Sequence, residues 1–387
     1  MTEKLACEME NELISLREEL HMYPETDFCE NKTSAIIRRE LDKLNIPYTV
    51  MAKTGICALI TGKNDGKTVL LRADMDGLPI LEENDLPYKS KNIGYMHACG
   101  HDVHTTCLIG AAKILCGLKD KINGNVKLIF QPAEEGVGGA LPMINEGAME
   151  NPKADAAFAL HVEPLEKVGN IQVKDGAIMA SPDEFVVKIR GKGGHGSAPE
   201  QCIDPIQIAA KIAQECKNIP KKYINPDIRC VVSVCSIHSG TCPNVIPETA
   251  VLEGTIRAFD NETRSTIASK IEEMTKEIAK SSGGQCDFEY RALYPPVINN
   301  AEMNKVVEKA AREISLVKNI VKLDKAFMAG DDFSYFAERV PASYFRLGVG
   351  NDIYSATIHS AKFNIDNKSI VIGTSIMAQI ALDFLNS

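Results

Sequence analysis

Short apolar runs alternate with segments of helical period from the amino terminus to about residue 180. Val69-Leu70-Leu71 reads as a buried strand that runs into the loop RADMDGLP, residues 72–79. Val126 to Phe130 (VKLIF) is a second such strand and delivers QPAEEG, and Ala156 to Leu160 a third that delivers His161. Thr105 to Leu118 carries a helical pattern. Strands apolar on consecutive positions are covered on both faces, and their alternation with helices predicts an α/β sheet. Each of the three strands therefore ends in a polar segment, at the edge of the sheet where sites form in open α/β folds.

From Ser181 the character changes. Phe185 to Arg190, Arg229 to Ile237 and Thr249 to Phe259 alternate as half-buried strands, and Gln285 to Ala292 reads as a fourth. Asp204 to Asn218 and Asn261 to Lys280 read as helices, the first with Asp204 as N-cap and Pro205 in the first turn. The order β-α-β-β-α-β is that of a ferredoxin-like unit. Past Pro295-Pro296 the helical pattern returns at Ala301 to Ile314 and again at Lys368 to Leu385. The expectation is a two-domain, mixed-sheet α/β protein. Residues 1–180 and 293–387 form the α/β domain and residues 181–292 a compact inserted α+β domain.

Composition narrows this picture only by exclusion. With 387 residues the chain can build two cores, and 44% hydrophobic with 25% charged residues is ordinary for a globular protein. A net charge of -9 without a basic stripe argues against a nucleic-acid partner. The opening MTEKLACEMENELISLREEL is a charged amphipathic helix pattern without the basic and apolar regions of a signal peptide. No apolar run reaches the roughly 20 residues that span a bilayer, so no membrane partner is expected. The 12 Cys are scattered, Cys107 and Cys116 inside a helical segment. With no export signal they predict reduced thiols and a cytoplasmic location.

Candidate chemistry concentrates at Met96-His97-Ala98-Cys99-Gly100-His101-Asp102-Val103-His104, which holds three of the chain's 8 His. Thiolate, imidazole and carboxylate are ligands of zinc and its first-row neighbours. Gly100 allows a tight turn between Cys99 and His101. Glu134-Glu135 follow a buried strand and precede Gly136, Gly138 and Gly139, His161 ends its own strand, and His359 lies far downstream in TIHSAKF. Taken singly, a strand-end His is ordinarily a hydrogen-bonded core residue, a Glu pair a surface feature and Cys99 a buried thiol. Together these donors exceed what one structural zinc needs. They suit two ions sharing a bridge, roughly 3.5–4 Å apart in two-metal hydrolases.

RADMDGLP, MHACGHDVHTT, QPAEEGVGGA, GKGGHGSAPE, NVIPETAVLEGTIRAFD, GDDFSYF and His359, in that order, resemble the M20 metallopeptidase family, most closely its amidohydrolase branch of aminoacylase-like, hippurate-hydrolase-like and auxin-conjugate-hydrolase-like enzymes. The resemblance implies a zinc-peptidase-like catalytic domain, with the insertion serving as lid and dimerisation domain, and a homodimer. It implies two divalent metal ions (zinc, manganese, cobalt or nickel) held by Cys99, His101, Glu135, His161 and His359, with Glu134 as general base. Asp74 or Asp76 would orient a ligand. His195 would be the lid histidine, and Asn244 and Arg257 would approach the substrate's carboxylate or the oxyanion. Departures from the family pattern are Gly77, Asp331 and Glu200, the last altering the charge near His195. The implied reaction is hydrolysis of the amide bond of small N-acyl-L-amino acids. A dipeptidase or carboxypeptidase using the same site is the alternative. A silent metal-binding protein and a cysteine hydrolase with Cys99 as nucleophile are weaker readings, since neither uses Glu134.

Overall fold

The computed structural model describes residues 1–386, which divide into two compact units. The first comprises Met1–Gly176, Ile298–Lys325 and the chain from Asp332 onward; the second comprises Ala177–Val297 and Ala326–Asp331.

The first unit is built on a mixed eight-stranded sheet. Across it the strands run Tyr48–Met51, Gly55–Thr61, Asn123–Gln131, Asn64–Asp74, Ala156–Lys167, Ala342–Gly350, Asn170–Val173 and Asn319–Lys322. The four central strands, from Asn123–Gln131 to Ala342–Gly350, are mutually parallel, with Asp74 beside Gln131 and His161 beside Arg346. Parallel register brings their carboxyl ends to one edge, and the polar segments found in the sequence leave from there. Thr68 to Asp74 are buried without a break, because helices cover this part of the sheet. Helix Lys368–Leu385 packs on His101–Gly117 and Ala301–Arg312. Among the described residues it alone is long and apolar enough to cross a bilayer, but 89% of it is buried inside the fold, the environment of a core helix.

Helix Asn31–Lys43 is tied to His101–Gly117 by Glu40, whose buried carboxylate meets Arg39 and Lys43 at 2.8 Å and Lys113 at 3.1 Å. Burial alone would raise its pKa; Lys43, Arg39 and Lys113 outweigh that and hold it at about 2. The folded value lies below the ordinary 4.5, so the contribution is complete above about pH 4.5 and is lost as the pH falls towards 2. Arg39 and Lys43 are half exposed, and screening reduces the gain. Glu40→Gln is expected to lower unfolding free energy by about 1–2 kcal/mol at pH 7. In urea titrations at a series of pH values the difference from wild type should shrink steadily below pH 4.5.

In the second unit four antiparallel strands lie in the order Val231–Ser239, Thr249–Ala258, Ser181–Arg190, Gln285–Arg291, with helices Pro205–Cys216 and Asn261–Ser281 packed on them. This is the ferredoxin-like arrangement. Phe185, Val187, Ile189, Leu252 and Ile256 from the sheet meet Ile208, Ile212, Ile267 and Ile271 from the helices. Asp204 and Asp260 cap the two helices, accepting from the amides of Ile206 (2.8 Å) and Thr263 (2.7 Å).

Several features differ from the sequence reading. The opening helix is two helices, Thr2–Glu8 and Glu10–His21, parted at Met9. Strand Ala342–Gly350 has no counterpart in it, because Ser343 and Arg346 interrupt its apolar run. Both are buried and paired, Ser343 with Asn304 and Arg346 with Glu163 at 2.7 Å. The division between units falls at 176/177 and 297/298, and residues 326–331 join the second unit. The amide of Ala180 holds them there by donating to the carbonyls of Phe327 and Ala329.

Candidate metal centre

The first unit gathers Asp74, Asp76, Cys99, His101, Glu134, Glu135, His161 and His359 from five segments. Asp74 and Asp76 leave the end of their strand. Gly100, at φ +85°, turns the chain so that Cys99 precedes and His101 begins helix His101–Gly117. Glu134 and Glu135 follow strand Asn123–Gln131, and His161 stands within strand Ala156–Lys167. His359 sits on a loop at φ +62°, a conformation costly for any residue but Gly, and its amide is fixed on the carbonyl of Ala98 at 2.8 Å.

Within this cluster the ligand atoms of Cys99, His101 and His161 lie within 4.8 Å of one another, as do those of Cys99, Glu135 and His359, and those of His101, Glu134 and Glu135. Cys99 Sγ is 3.4 Å from His161 Nε2. His161 Nδ1 donates to the Val162 carbonyl at 2.7 Å, and burial, with His104 and Arg346 adding, pushes its pKa well below 6.5. The Nε2 lone pair is therefore free to bind a cation. His101 Nε2 is buried without a hydrogen bond and stands 3.8 Å from Glu135 Oε1, which pairs with His359 Nε2 at 3.1 Å. A buried imidazole nitrogen without a hydrogen bond, among four carboxylates, marks a site for positive charge. In the metal-free chain His101 supplies it. Burial opposes a charged ring, but Asp74, Asp76 and Glu135 overcome it and hold His101 at about 10. The residues thus fit bound metal. Burial raises the Cys99 thiol well above 9, with Glu135, Glu134 and Asp74 adding, the opposite of an activated nucleophile but no obstacle to a metal, which deprotonates a coordinating thiol.

Comparison with known proteins identifies the family. The model of peptidase family M20/M25/M40 matches residues 70–383. The chain belongs to the M20 family. It is 39% identical to thermostable carboxypeptidase 1 of Saccharolobus solfataricus over 98% of this chain and 97% of that protein. It is 36% identical to the hippurate hydrolase of Campylobacter jejuni over 98% of both chains. A Bacillus subtilis dinuclear metal binding peptidase of the M20 family superposes with a TM-score of 0.86, at 33% identity, covering 98% of this chain and 99% of that one.

The two aspartates of this M20 chain, left as alternatives by the sequence, have different partners. Asp76 Oδ1 lies 3.1 Å from His101 Nδ1, and its Oδ2 accepts the Glu135 amide at 3.0 Å, so one carboxylate aligns two candidate ligands. Asp74 instead meets Arg72 (2.6 Å) and His104 Nδ1 (2.5 Å). His104 Nε2 accepts the Val162 amide at 2.9 Å, which places the ring proton on Nδ1 and leaves neither nitrogen for a metal. Behind Asp74, Arg72 also reaches Gln131 (2.9 Å) and Asp332 (3.1 Å), while Gln131 donates to Asp332 at 2.7 Å. Sequence reasoning passed over Arg72 and Gln131 and gave His104, a member of the His-rich segment, no role; the one signal was that each lies within three residues of a candidate ligand or orienting acid. Partners beyond the ligands set metal affinity. Asp76→Asn is expected to weaken metal binding roughly 10–100-fold in competition titrations with a chelating dye.

The remaining candidates lie in the second unit. His195, on the short strand Gly194–His195, pairs with Val245, and the amide of Gly196 donates to the Asn244 carbonyl at 2.9 Å. The Ser197 amide donates to His195 Nδ1 at 3.1 Å, so Nε2 carries the ring proton as an outward donor. Asn244 is exposed. Half-buried Arg257 donates to the carbonyls of Asp183 (3.3 Å) and Ile256 (3.2 Å) and to the Thr255 hydroxyl.

Proposed function

We infer that this M20 chain is a metal-dependent amidohydrolase that cleaves the amide bond of N-acyl-L-amino acids. The observation that carries the reading is the meeting of the His101–Glu135 pair, the Cys99–His161 pair and Glu134 in one cluster. Cys99, His101, Glu135, His161 and His359 are assigned as ligands of two divalent cations. Zinc suits the thiolate of Cys99, and manganese, cobalt and nickel also fit N and O donors. Bound there, such ions would polarise the amide carbonyl and make water acidic enough to attack near neutral pH.

Glu134 takes the proton from the attacking water and returns it to the departing amine nitrogen, so that the leaving group departs neutral. Only 8% exposed, it is shielded from competing bulk water. Asp76 holds His101 and the Glu135 backbone in place while charge shifts. His195 is assigned as donor to the developing oxyanion, on the GKGGHG match and on its protonated Nε2. Arg257 is assigned to the substrate's α-carboxylate, which its planar fork matches, and Asn244 to a neighbouring polar contact.

The 39% identity to a carboxypeptidase supports a second reading, cleavage of peptides at their carboxyl end. Both substrates end in a free α-carboxylate and differ on the acyl side. Metal-loaded protein assayed on N-acetyl and N-benzoyl amino acids beside matched dipeptides separates the two. A kcat/KM at least tenfold higher for the N-acyl series is expected; the reverse order would establish the peptidase reading instead.

A further inference from the structure

Glu30, at the start of helix Asn31–Lys43, is fully buried and far in sequence from every candidate ligand, yet its carboxylate is spent on the backbone that carries Glu134. Its Oε1 accepts the amides of Ala133 and Phe28, both at 3.1 Å, and its Oε2 accepts the Thr54 hydroxyl at 2.6 Å. Ala133, the residue before Glu134-Glu135, stands at φ +54°, and Asp27 and Phe28 stand at +55° and +64°. An L-residue enters this left-handed region only where its surroundings over-determine it. On the other side of the Glu pair, a Cβ added to Gly136 would come within 2.2 Å of Asp27 Oδ1, so the 27–28 turn is pressed against the exit of the same loop. One carboxylate therefore joins two left-handed turns that bracket Glu134.

We propose that Glu30 is a positioning residue for the reaction, holding Ala133 in its left-handed conformation so that Glu134 is presented to the attacking water. The proposal rests on the assignment of Glu134 as the proton acceptor. It requires an acceptor at position 30, not a charge. Burial already pushes the Glu30 carboxyl above its usual range, and a Gln there can still accept both amides through its carbonyl while donating to Thr54 Oγ1.

The test separates geometry from folding through Ala133 itself, since glycine adopts φ +54° without penalty. Glu30→Ala is expected to lower kcat at least tenfold, with KM and bound metal per chain unchanged. Glu30→Gln should stay within about threefold of wild type. Ala133→Gly introduced into Glu30→Ala should recover most of the lost kcat, although the melting temperature stays low. If Glu30→Ala does not fold, Glu30→Asp, which draws the acceptor back by one methylene, and Glu30→Asp with Ala133→Gly replace it in the same comparison. An unchanged kcat per folded chain in the Ala or Asp variant would overturn the proposal, as would a kcat loss that Ala133→Gly does not repair, or one that follows loss of metal. Glu134→Gln measured in parallel keeps the two ideas apart. If it retains normal kcat, the assignment of Glu134 fails and the proposal falls with it, whereas a large loss there with unchanged kcat in the Glu30 series overturns the proposal alone.

Discussion

Glu134→Gln is expected to lower kcat by at least about a thousandfold, towards the upper end of what a positioned general base contributes. The amide is isosteric, so packing survives, but it cannot take a proton from water. Ligand atoms of His101, Glu134 and Glu135 lie within 4.8 Å of one another, so removing one negative charge also eases repulsion between the two carboxylates. Metal binding should therefore persist, and KM should change little, because the lost interaction belongs to the transition state. Steady-state kinetics on an N-acyl amino acid, with metal analysis of the same preparation, checks both halves. A variant that loses metal along with activity would make Glu134 a ligand instead of a base.

The second large effect is expected at His101. His101→Ala removes the donor shared by three candidate ligand groups and the partner of the Asp76 carboxylate. Asp74 then keeps Arg72 and His104, and Glu135 keeps His359, but Asp76 loses its only cationic partner and the three carboxylates lose the ring they share. Breaking such a buried arrangement by deleting one partner typically costs 3–5 kcal/mol. Activity should fall below detection. In calorimetry, divalent metal should raise the wild-type melting temperature and leave the variant almost unmoved. Equal stabilisation of both by metal would remove His101 from the ligand set.

Part of this site could be read directly from the chain. Cys99, His101, Glu135, His161 and His359 are recognisable because a metal needs particular atoms, and those atoms come from few residue types. The strands that lead to Glu135 and His161 carry short apolar stretches, Leu128 to Phe130 and Ala156 to Leu160, a strong local pattern. The insertion was equally legible, since half-buried strands alternate and Asp204 before Pro205 is an ordinary N-cap. What the chain concealed depends on pairing across long separations. Glu30 and Ala133 are both unremarkable in sequence, and only the fold shows that one accepts the amide of the other. Asp74 and Asp76 occupy equivalent-looking places in RADMDGLP, but Asp74 is the last residue of its strand and Asp76 lies beyond it, where strand alternation no longer sets direction, and their partners divide accordingly. His104, left outside the ligand set by the sequence, gains its role only from the fold, where its two nitrogens are committed to Asp74 and the Val162 amide. Strand Ala342–Gly350 was hidden because a buried Arg346 resembles a surface residue until its Glu163 partner is placed beside it.

The most direct measurement is the metal content of the protein after loading with zinc or manganese and removal of excess ion, read by elemental analysis beside hydrolytic activity. The account predicts two divalent ions per chain, with activity lost on chelation and regained on metal return. A fully active protein that retains no divalent ion would contradict it.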